Sequence, residues 1–165
     1  MTAYLILALV ALQRATELII DRRNTCALLA QGGVEFAPQH YPLLIVLHVG
    51  RLVTIVVMLP SPATIHWFAL GPYLVLQALR AWTLLSLGQY WTTRIISLPN
   101  APLVGKGPYH FLRHPNYWIV VGEVALLPLA FAETWVAITF TVLNALLIGW
   151  RIRKEDEALA PRRIP

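Results

Sequence analysis

The chain has 165 residues, 58% of them hydrophobic and 13% charged, with a formal net charge of +5. A soluble domain of this size carries about 45–50% apolar and about 25% charged residues, so a water-soluble globule is excluded: its polar residues would not cover its surface. The positive charge does not indicate nucleic acid, because no long basic run and no basic–aromatic interleaving carries it.

Five apolar segments approach the roughly 20 residues that a bilayer-spanning helix needs: about 3–20, 42–60, 64–87, 117–132 and 134–150. The first has no Lys or Arg ahead of its apolar run, which favours a retained span over a cleaved signal peptide. Within it Arg14 and Glu17 are spaced to pair locally. Cys26, the single cysteine, excludes an internal disulfide and a cysteine-based zinc cluster, and reads as a small packing residue. The second segment begins near Pro42 and carries His48 and Arg51 on one face. With Glu123 of the fourth segment they form either a polar substrate cavity or plain structural pairs, the usual ways to keep ionisable groups inside a membrane. Pro60 and Pro62 mark the next turn. Gly71-Pro72 predicts a kink in the third segment, which also carries Arg80. The fourth and fifth are separated only by "AET" and read as a helical hairpin. The expected fold is an all-α integral membrane protein of about five transmembrane helices, in one domain.

Of the thirteen Lys and Arg, only Arg14, Arg51 and Arg80 lie inside these segments. The others fall in the regions 21–41 and 88–116 and in the tail after 150. With five spans these regions share one side, which the positive-inside rule makes cytoplasmic, with the N-terminus outside and the C-terminus inside. The six tryptophans mostly lie near span ends, as an interfacial belt would.

One polar cassette interrupts the apolar pattern. "GKGPYHFLRHPNY", Gly105 to Tyr117, follows the proline-extended "LPNAPLV". Glycines let a backbone approach a ligand closely. His114 precedes Pro115, so the next helix starts there. His110 and His114 have the i, i+4 spacing of a metal pair but lack a third ligand and the glutamate of a zinc protease helix; no metal is expected. The tail "RIRKEDEAL" places Arg151 and Glu155 on one helical face, where alone they read as a solvated helix end.

Together, "LVGKGPYHFLRHPNY", a helical hairpin and "RIRKEDEAL" resemble the isoprenylcysteine carboxyl methyltransferase family and the related phospholipid N-methyltransferases. The resemblance covers about residues 85–160 and implies an integral-membrane methyltransferase using S-adenosylmethionine. The region 85–160 would then be the cofactor-binding core, and 1–84 the N-terminal spans and the substrate side. It implies cofactor contacts at Ala101, Pro102, Leu103, Val104, Tyr109, His114, Pro115, Asn116, Tyr117 and Glu155, with Gly105 and Gly107 matching the G-x-G of the phospholipid enzymes. Arg151 would lie at the substrate, and Arg151 and Glu155 would carry catalysis. Asp156 stands where the family has a second glutamate. "RATELIIDRRNTCALLAQGGVEFAPQHYPLLIVLH" resembles a bacterial branch that methylates alkylresorcinols or alkylpyrones. That makes Arg22, Asn24, Glu35, His40 and Tyr41 substrate-side candidates beside His48 and Arg51, with His40, His114 and Glu35 as possible bases. The implied partners are a lipophilic acceptor reaching the site from the bilayer of a bacterial inner membrane, and a cofactor arriving from the cytoplasm. "RHPNYWIVVGE" also comes close to a signature of membrane sterol reductases, which use NADPH. A non-enzymatic membrane scaffold is the remaining alternative.

Overall fold

A computed structural model describes residues 1–99, 101 and 104–159, with Leu159 described by its backbone only. Helix α1, Thr2–Ala30, leads through strand β1, Val34–Phe36, to α2, His40–Met58. Helix α3, Trp67–Leu87, is followed by strand β2, Ile95–Ser97, then α4, Pro115–Leu129, and α5, Thr134–Leu159. Local chemistry sets several of these limits. Gly88 ends α3 with a φ of 54°, a left-handed value that glycine adopts without strain. Pro115 opens α4, where its missing N–H costs nothing, and His114 before it is held out of the helix at φ −129°, ψ 58°. Helix α3 runs on as one helix through Pro72.

The helices alternate in direction, so one end of the bundle is apolar and the other polar. At the apolar end the start of α1, end of α2, start of α3, end of α4 and start of α5 meet in a core that includes Leu7, Ile55, Tyr73, Leu127 and Phe131. At the polar end lie β1, β2, the cassette and the last turns of α5. Burial is inverted relative to a soluble protein. Arg51 is 1% exposed, whereas Val57 on the same helix is 77% exposed. Large aliphatic side chains outside and ionised groups inside are what a bilayer solvent requires. The chain is an all-α integral membrane protein.

Three features depart from expectation. Four helices, α1, α2, α3 and α5, are long and apolar enough to cross a membrane. Helix α4 has 15 residues, about 22 Å at 1.5 Å per residue, short of the roughly 30 Å hydrocarbon core. The sequence also gave no sign of the antiparallel ribbon that pairs Val34 with Ser97, Glu35 with Ile96 and Phe36 with Ile95. Cys26 is exposed rather than a packing residue, because it faces outward from α1.

Candidate active site

The polar end holds a cleft enclosing about 690 Å³, part of it open to solvent. Its walls include Tyr90, Trp91, Tyr109, Arg113, His114, Asn116, Tyr117, Arg151 and Glu155. These come from the loop after α3, the cassette, the first turn of α4 and the last turns of α5. Tyr117 is the centre of its hydrogen bonding: its hydroxyl accepts from Arg151 Nε at 2.8 Å and donates to Glu155 Oε2. His114 stacks on the Tyr117 ring, with centroids 5.3 Å apart, and its Nδ1 lies 3.9 Å from Glu155 Oε2. Burial raises the Tyr109 phenol above its ordinary pKa, and the Glu155 carboxylate raises it further, so Tyr109 stays protonated as a hydrogen-bond donor. Asn116 Oδ1 is buried and has no hydrogen-bond partner among the described residues.

A second cavity lies deeper between the helices, enclosing about 970 Å³ including its open side. Apolar residues dominate it, among them Leu18, Leu44, Ile45, Leu52, Leu147 and Ile148. An ion-pair network from three helices edges it. Arg14 bonds Glu17 and Glu123, each at 2.8 Å, and Arg80 bonds Glu17 at 2.7 Å and Glu123 at 3.3 Å. Gln77 adds a bond to Glu123 Oε1 at 2.8 Å. Four charges that neutralise one another inside the bundle avoid the several kcal/mol that each would cost alone.

The two cavities share a wall. Trp91, Thr92, Asn116, Tyr117 and Arg151 line both. The sequence profile of the isoprenylcysteine carboxyl methyltransferase (ICMT) family matches residues 67–161, which include the cassette, α4, α5 and this wall. The chain belongs to the ICMT family. ICMT-family proteins are membrane methyltransferases and generally use S-adenosylmethionine. This ICMT-family chain is similar to the Bacillus subtilis protein called uncharacterized protein YpbQ, 36% identical over 160 residues, covering 94% of this chain and 95% of that one. It is also similar to an uncharacterized protein of Haemophilus influenzae, 23% identical over 152 residues, covering 89% and 88%. No solved structure matches it.

The expected site residues divide. Tyr109, His114, Asn116, Tyr117, Arg151 and Glu155 come together at the cleft, and His48 lines the deeper cavity. Pro102 and Leu103 lie outside the described residues. Ala101, Val104, Gly105, Gly107 and Pro115 do not line either cavity. Gly105 is exposed on the loop. Gly107 has a φ of 61°, and a Cβ there would strike the Ser86 side chain of α3, so its role is close packing. Pro115 is buried as the opening residue of α4.

On the substrate side, His40 lines neither cavity: it is fully buried, with its ring nitrogens against the carbonyl oxygens of Ala37 at 2.6 Å and Thr93 at 3.3 Å. Glu35 is held by Arg94 at 2.9 Å, and that guanidinium also lies over the Tyr41 ring at 4.2 Å. Arg51 donates to the backbone carbonyl of Glu123 at 2.9 Å instead of facing the cavity. Asn24 donates to the carbonyls of Gly88 and Trp91, at 3.1 and 2.8 Å, so it positions the loop after α3. Asp21 does the same, accepting from the Thr93 N–H at 2.6 Å. Arg22 lines a separate groove along α1.

Sequence reasoning missed Trp91, Thr92 and Asn144. Trp91 and Thr92 sit in a loop with no motif. Asn144 was detectable as an amide inside an apolar span.

Proposed function

We propose that this membrane methyltransferase moves a methyl group from S-adenosylmethionine to an oxygen on the polar head of a lipophilic acceptor. The oxygen is that of a carboxylate, phenol or enol, and alkylresorcinols and alkylpyrones are candidate acceptors. The shared wall carries this reading, because it divides a polar cleft suited to a soluble cofactor from an apolar cavity suited to a lipid. The cleft's residues fit the cofactor. Glu155 and the unpartnered Asn116 Oδ1 offer acceptors for an ammonium or ribose group, Arg113 matches a carboxylate, and Tyr109 donates.

When bound, S-adenosylmethionine supplies a methyl group on a positively charged sulfur. The chain's own residues do the rest. Glu155, fixed by the Tyr117 hydroxyl, holds the cofactor's polar end. Arg151, fixed by the same hydroxyl, faces the acceptor across the shared wall and favours its ionised oxygen. A carboxylate is already ionised, whereas a phenol with a pKa of about 10 needs that help. Of the three possible bases, His114 alone lies on a cavity wall. Alignment of two reactants across one wall replaces a collision with a preset geometry, a large source of rate. Basic residues mark the polar end while the turns 59–66 and 130–133 have no Lys or Arg, so we place the cleft on the cytoplasmic side.

Arg151→Ala and Glu155→Ala are each expected to lower methylation of a lipid acceptor at least about 100-fold while insertion and purification stay normal. Full activity in both would remove their proposed roles. In the wild type, S-adenosylhomocysteine should raise the melting temperature and NADPH should not; the opposite pattern would favour a reductase.

A further inference from the structure

The deeper cavity contains two polar side chains that the fold leaves unused. Asn144 lies seven residues before Arg151 on α5, two turns and about 10 Å along the helix toward the apolar end. It is 2% exposed and lines the cavity, and its Nδ2 donates to no atom among the described residues. His48 lines the same cavity from α2, which packs on α5. It makes no hydrogen bond among the described residues. The neighbouring charges do not need either group, because Arg14, Glu17, Arg80 and Glu123 satisfy one another. Leu147 and Ile148 separate this polar pair from Arg151 along the cavity wall. A buried amide N–H without a partner costs about 1–3 kcal/mol, a cost that a bound oxygen acceptor would remove.

We propose that Asn144 and His48 form a second recognition station, which binds a further oxygen of the acceptor's head group while Arg151 faces the oxygen that is methylated. This rests on the reading that the deeper cavity takes the acceptor, and it narrows the acceptor's class. A carboxylate's two oxygens share one carbon and are too close together to reach both stations. A ring carrying two oxygen functions on different carbons spans more of the gap. The acceptor is then a lipid with a doubly oxygenated ring head. Asn144 donates to the second oxygen, and His48 either donates or accepts according to whether that oxygen is a carbonyl or a hydroxyl.

The test uses two probes with the same chain, 5-pentadecylresorcinol and 3-pentadecylphenol, and the full-length protein in detergent. Methylation is measured as kcat/KM, and binding is measured separately in the presence of S-adenosylhomocysteine. The wild type should prefer the resorcinol about tenfold or more in both. In Asn144→Leu and in His48→Phe that ratio should fall toward one. S-adenosylhomocysteine binding reports that each variant is folded, and either variant decides the question if the other is lost. A wild type that treats both probes alike, or variants that weaken both in parallel, would overturn the station. If neither probe is methylated, the proposed acceptor class fails. The binding ratios still judge the station, and equal binding by all three proteins overturns it.

Discussion

Tyr117 is the residue on which the site's geometry converges. One phenol hydroxyl fixes both a cation, Arg151, and an anion, Glu155, so each is held without pairing to the other. A direct Arg151–Glu155 pair would satisfy both charges and leave neither for a ligand. Hydrogen bonds to charged groups contribute about 1.5–3 kcal/mol. Tyr117→Phe should therefore weaken S-adenosylhomocysteine binding about tenfold, read by calorimetry, with helical content unchanged by circular dichroism. Unaltered affinity would show that Glu155 needs no such support. The i, i+4 spacing of Arg151 and Glu155 was visible in the sequence, but as a surface ion pair. The residue that separates them comes from another helix, 34 positions from Arg151, and spacing along a chain cannot report that.

At the level of elements, the sequence resolved what local chemistry controls and missed what long-range contacts control. The helix start at Pro115 and the Arg14–Glu17 pair were both readable, because each depends on neighbours a few residues away. The ribbon of β1 and β2 was not, because two three-residue strands carry too few side chains for a periodic signal. The ribbon and the bonds from Asp21 and Asn24 hold the loop that supplies Trp91 and Thr92, so the missed contacts and the missed wall residues are one omission. Long-range packing likewise decided His40, Glu35 and Arg51: His40 and Arg51 are buried against backbone carbonyls, and Glu35 is paired with Arg94. The cassette shows how an element is anchored. Gly107→Ala would force a non-glycine residue to a φ of 61° and put a Cβ into the Ser86 side chain. A left-handed alanine alone costs about 1–3 kcal/mol. The variant should melt lower and bind S-adenosylhomocysteine more weakly, because Tyr109 follows two residues later. Adding Ser86→Gly should restore only part of the loss, since it removes the clash and leaves the backbone strain. Complete recovery would assign the whole effect to the clash.

For the whole molecule, the bundle is an apolar core at one end, a mainly apolar cavity edged by an ion-pair network in the middle and a polar cleft at the other. The class of the fold was legible because composition and apolar segment length alone demand a bilayer. The number of full spans was less so, because α4 and α5 are separated by only four residues and hydropathy does not reveal that one is much shorter. Sidedness can be read with the protein's single cysteine. Cys26 is exposed near the polar end of α1, on a groove with Arg22. A membrane-impermeant maleimide should label it in inverted inner-membrane vesicles and not in intact spheroplasts. Labelling in spheroplasts would turn the proposed topology over.

The wall shared by the two cavities has a kinetic consequence. On the proposed function its two faces serve different phases, so the reactants would be counted in different units: the cofactor in moles per litre of water, the acceptor in moles per mole of surrounding lipid. At a fixed amount of acceptor, adding inert lipid or detergent dilutes it within the surface and slows turnover, although no bulk concentration has changed. For this protein the membrane is both the solvent of the fold and the volume in which one substrate is dissolved.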